Sequence, residues 1–174
     1  ECKTDCLALL EDVKDHFEAA FLKVWGGKAS DDKLNSLVVN AGLDWSEIKC
    51  VRTYARYLRQ AVPSFSRMFI KDTLCNYAQI TRKLMEYFHT RHTPSFGGDR
   101  DKICKKIMAA IFDDLRYVRT LNEDRVLRHM IALFENTLRT NYYQTDSNGN
   151  RKDYISVKLN SEKLDFLPLP RPYR

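Results

Sequence analysis

Apolar residues recur at intervals of three and four along most of the chain, which is the spacing of an amphipathic helix. Seven stretches show this spacing. Their apolar positions, in chain order, are Leu10, Val13, Phe17, Phe21 and Val24; Leu34, Leu37, Val38 and Ala41; Ile48, Val51, Ala55, Leu58 and Val62; Phe65, Phe69 and Leu74; Ile80, Leu84 and Phe88; Ile103, Ile107, Ile111, Leu115 and Val118; and Val126, Met130, Phe134 and Leu138. The pattern predicts a mainly α-helical protein, an array or bundle of about seven helices.

Residues that favour helix ends separate these stretches. Glycine and proline end the first three helices, at Gly26, Gly27, Gly42 and Pro63. Asp44 and Glu47 have the spacing of a capping box at the start of the third helix. Side chains that cap helix N-termini predict the starts of the second, fifth and seventh helices, at Ser30, Asn76 and Asn122.

The helical period stops after residue 140. Ile155, Val157 and Leu159 alternate with polar residues as a strand does, and a polar turn at Asn148 and Gly149 separates them from residues 141–144. This arrangement predicts a small hairpin-like β element with a long loop.

The final residues cannot continue a helix, because proline lacks the amide donor and holds its predecessor in extended angles. They predict an extended, proline-containing arm. We therefore divide the chain into a helical domain over residues 1–140 and a hairpin-like element with a connector over residues 141–174. Because the sequence starts at Glu1 and ends on this arm, we expect it to be part of a larger protein with a catalytic domain beyond the arm.

Composition agrees with an ordinary globular domain, since 44% of the 174 residues are hydrophobic and 30% are charged. No stretch approaches the roughly 20 uncharged apolar residues of a membrane span, so no membrane partner is predicted. Five cysteines are scattered through the helical stretches, at Cys2, Cys6, Cys50, Cys75 and Cys104. This scatter favours a reducing, cytoplasmic setting.

Cations recur at intervals of three and four along one face of the third helix, at Lys49, Arg52, Arg56 and Arg59. With a net charge of +6, this face is a candidate interaction surface for phosphates or for an acidic protein. Tyr54 and Tyr57 lie among these cations and either stack on bases or pack within the protein. The alternative for the whole face is solvation or internal salt bridges.

Candidate metal ligands are sparse. Glu86 and His89 have the spacing of carboxylate-bridged metal sites in helix bundles, and His92 lies one turn further on. A facing Glu-x-x-His helix is absent from the sequence, so a solvated or capping role is the preferred interpretation. Cys2 and Cys6 share a helix face, but no second pair completes four-coordination, and incidental thiols are expected.

Candidate bases and nucleotide loops are sparse too. His16 and His129 lie beside apolar stripes, which favours structural roles. All six glycines fall at helix ends or turns, so no phosphate-binding loop is predicted. We therefore predict no catalytic, cofactor-binding or metal-binding residue in this chain.

Several segments, taken together, resemble a known family. AGLDWSEIKCVRTYARYLRQ (41–60), PSFSRMFI (63–70) and TLCNY (73–77) resemble the helical segment just upstream of the catalytic region in the large bacterial NAD-specific glutamate dehydrogenases. LNEDRVLRHMIALFENTLRTNYYQ (121–144) and ISVKLNSEKLDFLPLPRPYR (155–174) are similar to what precedes the catalytic core in that family, where a leucine-proline arm leads into the dehydrogenase fold.

The resemblance implies a cytoplasmic, homo-oligomeric parent that oxidatively deaminates L-glutamate to 2-oxoglutarate and ammonium with NAD. This chain would be a non-catalytic helical domain that binds no cofactor, is inactive alone, and couples the N-terminal regulatory region to the catalytic core of the same polypeptide. The residues expected to contact that core are Leu167, Pro168, Leu169, Pro170 and Pro172. The alternative is a free-standing helical adaptor that binds an acidic protein or, as the weaker expectation, nucleic acid through the basic face.

Overall fold

The computed structural model describes residues 2–27, 30–169 and 171, with side chains described from residue 14 onward. Within these residues it contains seven α-helices and a two-stranded sheet: α1 (Cys2–Trp25), α2 (Leu37–Ala41), α3 (Trp45–Ala61), α4 (Arg67–Asn76), α5 (Ala78–His92), α6 (Arg100–Asp114), α7 (Leu121–Glu135), β1 (Thr137–Thr140) and β2 (Val157–Leu159). The prediction of a mainly α-helical fold with a small β element is confirmed. In the described ranges, no helix combines the length and the apolarity that crossing a membrane requires.

The predicted boundaries of α2 and α3 are confirmed where local chemistry dictates them. Gly42 ends α2 in the left-handed region, at φ 67°, where residues with a Cβ are disfavoured. At the start of α3, the Asp44 carboxylate accepts from the Glu47 backbone N–H (2.7 Å), and the Glu47 carboxylate accepts from the Asp44 N–H (2.8 Å). The helix ends at Ala61, before Pro63.

Three predicted N-caps are wrong. A 3₁₀ turn over Lys33–Ser36 precedes α2, and its cap is Asp32 rather than Ser30. Asn76 is the last residue of α4 and caps nothing, because one residue alone separates α4 from α5. The cap of α7 is Thr120 rather than Asn122, since Thr120 has extended angles and accepts from the Glu123 N–H (3.3 Å).

Val62 lies one residue past α3 and Phe65 precedes α4, and two further predicted stripes are too long at their C-terminal ends. Helix α6 ends at Asp114, and a 3₁₀ turn over Leu115–Tyr117 leaves Val118 outside the helix. Leu138 belongs to β1 rather than α7 and is 50% exposed. In both stripes the apolar spacing continues although the backbone changes from α-helix to a 3₁₀ turn or to a strand.

The hairpin-like element is confirmed, with its first strand earlier than predicted. Strand β1 pairs antiparallel to β2, with Thr137 opposite Leu159 and Thr140 opposite Val157, and a bulge interrupts the register after Thr137. Residues 141–144, which we expected to pair, begin the loop instead. A single isolated bridge between Thr145 and Arg151 continues the ladder towards the turn.

One hydrophobic core runs through the helices and the β element. Its largest fully buried side chains include Tyr54, Phe88 and Phe134, from α3, α5 and α7. Tyr142 and Leu159, from the β element, belong to the same cluster. Strand β1 lies before the predicted domain boundary at residue 140 and β2 lies after it, and the two strands pair with each other. The helices and the hairpin therefore pack together around this core. The division into two domains at that position stays a prediction.

Candidate functional site

The cationic line on α3 divides into buried and accessible members. Arg52 is 5% exposed and donates to both carboxylate oxygens of Asp32, at 2.9 and 3.0 Å. It also donates to the Asn35 side chain (2.9 Å), and Lys71 lies 3.0 Å from the same Asp32 carboxylate. Desolvation opposes ionisation of Asp32, but the hydrogen bonds from Arg52 and Lys71 outweigh it and lower the pKa of this carboxyl. Arg52 thus joins α3 to the turn before α2.

The other cations of the line are open to solvent or partly so. Lys49 is half-buried, and its ammonium donates to the Asp153 carbonyl and lies 5.6 Å from the centre of the Trp45 ring. Arg56 is exposed and donates to the Ser30 hydroxyl (3.2 Å). Arg59 is half-buried. The predicted interaction face therefore retains three accessible cations, and Arg52 is committed to an internal ion pair.

A groove of about 500 Å³ separates this face of α3 from residues 153–157, which comprise the end of the hairpin loop and the first residue of β2. Lys49 and Arg56 line it from α3, between the aromatic rings of Trp45 and Tyr57, and Tyr154 lines it from the loop. We call this feature the α3 groove. It combines accessible positive charge with aromatic walls, and its two sides come from distant parts of the chain.

More cations surround the end of the α3 groove that contains Trp45. The Lys23 ammonium lies 5.0 Å from the centre of the Trp45 ring, and the Lys152 ammonium lies 5.8 Å from the Tyr154 ring. Arg151 stacks over a further tyrosine ring (4.7 Å) and donates to the hydroxyl of a buried serine (2.9 Å). Among the described residues, these cations contact rings and neutral oxygens, with no carboxylate within ion-pair distance.

A second feature joins the N-terminal helices to α7 and the hairpin. Tyr54 stacks on Phe134, with ring centroids 4.2 Å apart, and its hydroxyl lies 2.7 Å from that of Thr137 in β1. Phe88 of α5 packs edge-on against Tyr142, with centroids 5.2 Å apart. We call these five residues the aromatic junction. Since Tyr54 is fully buried in it, packing is its role, and it is not available to stack on a base.

His89 lies beside the aromatic junction, in a series of hydrogen bonds that we call the polar chain. Like the junction, the polar chain links the N-terminal helices to the hairpin. Its Nε2 lies 2.7 Å from the Glu47 carboxylate, and its Nδ1 lies 2.5 Å from the Tyr143 hydroxyl, which accepts from Thr93 (2.9 Å). Desolvation opposes ionisation of Glu47, but the hydrogen bonds from His89 and from the Asp44 N–H outweigh it and lower the pKa of Glu47.

The three ligand-type side chains on α5 do not converge. Glu86 is exposed, whereas His89 is bound to Glu47 as described above. The ring of His92 lies 4.9 Å from that of Phe88, and burial, with the nearby Arg91 and a second arginine, lowers the pKa of His92 to about 4. Within the described part of the chain, no group of three His, Cys, Asp or Glu side chains is placed to hold a metal ion.

The remaining candidates are two histidines within the described residues and two cysteines whose side chains are not described. His129 packs against Phe166, with ring centroids 4.5 Å apart, and His16 is half-buried on α1. Desolvation and Arg125 lower the pKa of His129. The side chains of Cys2 and Cys6 lie outside the described residues.

The proline-containing arm is partly anchored within the chain. Leu167 is 8% exposed and joins the hydrophobic core, whereas Leu169 is 82% exposed and Pro168 is exposed. Pro170 and Pro172, which we also expected to contact a catalytic core, lie outside the described residues. The surface available for such a contact is therefore centred on Leu169 rather than on Leu167.

Two features that tertiary structure assembles, the α3 groove and the hydrogen bonds of His89, have no continuous signal in the sequence. Lys23, Trp45 and Tyr154 come together around the α3 groove from three separate segments. His89 and Tyr143 are 54 residues apart in the chain. The only local signal was Trp45 beside a capping box, at the start of the cationic helix.

Two family models match the chain. The first, described as glutamate dehydrogenase, helical motif 3, matches residues 29–94, which contain α2 to α5. The second, described as bacterial NAD-glutamate dehydrogenase, catalytic domain, matches residues 110–174, which contain the end of α6, α7 and the hairpin. The aromatic junction and the polar chain of His89 therefore connect one matched segment to the other.

Curated relatives give the same result over most of the chain. Proteins named NAD-specific glutamate dehydrogenase from Halomonas elongata and Pseudomonas aeruginosa are 37% and 36% identical over 166 residues, or 94% of this chain. The protein of that name from Mycobacterium tuberculosis is 35% identical over 158 residues, or 90% of this chain. The chain spans 10% of the length of each of these relatives.

Proposed function

The chain belongs to the family of bacterial NAD-specific glutamate dehydrogenases, and we propose that it is the helical segment that couples the catalytic core of such an enzyme to its N-terminal regulatory region. The enzyme oxidatively deaminates L-glutamate to 2-oxoglutarate and ammonium, with NAD as the hydride acceptor, in the cytoplasm. The chain's own part is mechanical rather than chemical.

The aromatic junction is the observation that supports the coupling role. Tyr54 lies in the segment that matches the helical motif, and Phe134 and Thr137 lie in the segment that matches the catalytic domain. These side chains are fully or almost fully buried. Packed interiors transmit displacement because they have few voids to absorb it. A movement of α3 is therefore passed to β1 and to the residues that follow it.

The described residues do not form a dinucleotide site. Such a site needs a parallel sheet with a glycine-rich turn from strand to helix, whereas the described sheet has two antiparallel strands. Gly97 and Gly98 precede α6 but follow a loop rather than a strand. We therefore assign NAD and the catalytic groups to other parts of the enzyme, and we expect the chain alone to be inactive.

Exposed apolar side chains support contacts with other domains of the same polypeptide or with other subunits of a homo-oligomer. Phe17 and Phe21 on α1 are each 53% exposed, and Trp25 is 82% exposed. Leu169 on the arm is equally open. Clustered exposed apolar residues are typical of interaction surfaces.

Two assays test the proposal. The isolated chain, mixed with NAD and L-glutamate, should produce no NADH, whereas the full-length enzyme should produce it. In the full-length enzyme, Tyr54→Phe should change kcat or the response to effectors, because it weakens the aromatic junction. The matched control is Tyr117→Phe, which removes the same hydroxyl from a side chain that is 82% exposed. Turnover by the isolated chain would sink the non-catalytic assignment, and equal behaviour of the two variants would sink the coupling role.

A further inference from the structure

The α3 groove has the features of a binding site that the coupling role does not use. We propose that it binds a small anion that carries a di- or triphosphate chain, held between Lys49 and Arg56. The binding concerns this chain's own residues and does not depend on dehydrogenase activity. A ligand in the groove would contact both segments matched by the family models, since α3 forms one side and residues 153–157 form the other.

The dimensions of the α3 groove suit a ligand larger than a single phosphate. Its volume of about 500 Å³ falls within the range of small-molecule sites. Lys49 and Arg56 are separated by two helical turns, or roughly 10 Å along the axis. A phosphate chain with an attached group can span that distance, whereas a single phosphate would have to draw both side chains away from their present partners, the Asp153 carbonyl and the Ser30 hydroxyl.

The charge distribution favours an anion. Lys49 and Arg56 donate to a carbonyl and a hydroxyl, which leave their charges uncompensated. Lys23 and Lys152 add positive charge at the rim and lie against aromatic rings rather than carboxylates. Among the described residues that line the groove, Asp153 is the one carboxylate, and it is exposed. Phosphate oxygens would therefore meet an excess of cationic donors, and charge-assisted hydrogen bonds are the stronger kind.

The same geometry disfavours a long nucleic acid. A polymer needs a continuous open track of cations, whereas Arg52 in the middle of the line is buried against Asp32. The chain segment that contains Tyr154 also walls one side of the groove. The rings of Trp45 and Tyr154 already have ammonium groups near them, so they are poorly placed to stack on successive bases.

The chain offers its own fluorescent reporter. It contains two tryptophans, Trp25 and Trp45. Trp25 is 82% exposed, so Trp25→Phe removes it without disturbing the core. An anion that draws Lys49 or Lys23 away from the Trp45 ring should then change the emission of Trp45, the remaining tryptophan.

The test is a titration of the Trp25→Phe chain with tripolyphosphate, ATP and adenosine. We expect a saturable change in Trp45 emission with tripolyphosphate and with ATP, and none with adenosine. Tighter binding of ATP would identify a nucleotide as the natural source of the phosphate chain, and equal binding would identify the phosphate chain itself. A response to adenosine equal to that to ATP, or no response to any probe, would overturn the proposal.

Substitutions distinguish the α3 groove from a diffuse cationic surface. Lys49→Gln and Arg56→Gln should each weaken binding of tripolyphosphate about tenfold, since each removes a charge-assisted contact. Arg59→Gln is the matched control, because it removes one positive charge from the same helix without removing a lining residue. Circular dichroism verifies that each variant is folded. Equal weakening by Arg56→Gln and Arg59→Gln, or equal affinity for duplex DNA at the same phosphate concentration, would overturn the proposal.

Discussion

The hydrogen bond between Tyr54 and Thr137 allows the coupling across the aromatic junction to be measured as a free energy. The two hydroxyls are 2.7 Å apart and buried, and the Thr137 hydroxyl also donates to the Leu133 carbonyl (2.8 Å). With that donor engaged, the Tyr54 hydroxyl must donate to Thr137. The arrangement makes Tyr54→Phe and Thr137→Val a suitable pair for a double-mutant cycle.

The expected magnitudes follow from what each substitution leaves behind. Tyr54→Phe removes one neutral hydrogen bond and should lower the free energy of unfolding by about 1 kcal/mol. Thr137→Val also leaves the buried Tyr54 hydroxyl and the Leu133 carbonyl without this partner. It should therefore lower the free energy of unfolding by about 2 kcal/mol. In the double variant the Tyr54 hydroxyl is no longer stranded. The loss should therefore be about 2 kcal/mol rather than the sum, which is a coupling of about 1 kcal/mol.

Urea denaturation followed by circular dichroism measures these differences. With a typical slope for a domain of this size, 1 kcal/mol corresponds to a midpoint shift of about 0.5 M urea. Tyr117→Phe is the control for loss of a tyrosine hydroxyl at an exposed site and should leave the midpoint unchanged. Strict additivity of the two junction substitutions would refute the reasoning, because it would mean that Tyr54 and Thr137 do not interact.

Three further predictions concern stability. Arg52→Gln should lower the free energy of unfolding by about 2–3 kcal/mol, because it breaks a buried ion pair. The control Arg59→Gln should change the free energy of unfolding by less than about 0.5 kcal/mol. Equal urea midpoints of the two variants would contradict this prediction. Gly42→Ala should lower the free energy of unfolding by about 1–2 kcal/mol, because the backbone of Gly42 has a left-handed φ. Gly97→Ala should lower it less, since Gly97 lies in open space without a positive φ. Equal melting temperatures of the two variants would contradict this prediction. The third concerns pH: the lowered pKa of Glu47 contributes stability above the carboxyl's unfolded pKa, which is lost as pH falls through the lower folded pKa. Glu47→Gln should make urea midpoints less steeply dependent on acidic pH than the parent chain, and parallel pH profiles would contradict it.

Most helices could be predicted from the sequence because their determinants are local. The spacing of apolar residues, the capping box of Asp44 with Glu47, and Gly42 act within a few residues of the helix that they define. Some of the errors lay at helix starts where several capping side chains are close together, as at α2 and α7. Both Thr120 and Asn122 are good N-caps by type, and the extended backbone at Thr120 decides between them.

Which cations on α3 are buried and which are exposed could be established only from the tertiary structure. Arg52 and Arg56 are one helical turn apart and look equivalent in sequence. Arg52 is buried because it pairs with Asp32, 20 residues earlier, whereas Arg56 is exposed, donates to the Ser30 hydroxyl and has no carboxylate among the described residues within ion-pair distance. The same holds for His89, whose spacing with Glu86 suggested a metal ligand but whose partners are Glu47 and a tyrosine of the hairpin loop.

Local periodicity, capping chemistry and ordered motifs were therefore enough to predict the helical class, most element positions and the family. Three features could be seen only in the folded chain: which cations are free, where β1 pairs, and the single core shared by the helical-motif and catalytic-domain segments. Burial and pairing depend on side chains that folding brings together from distant parts of the chain. The contact between Tyr54 and Thr137 spans 83 residues, and no local pattern can encode it.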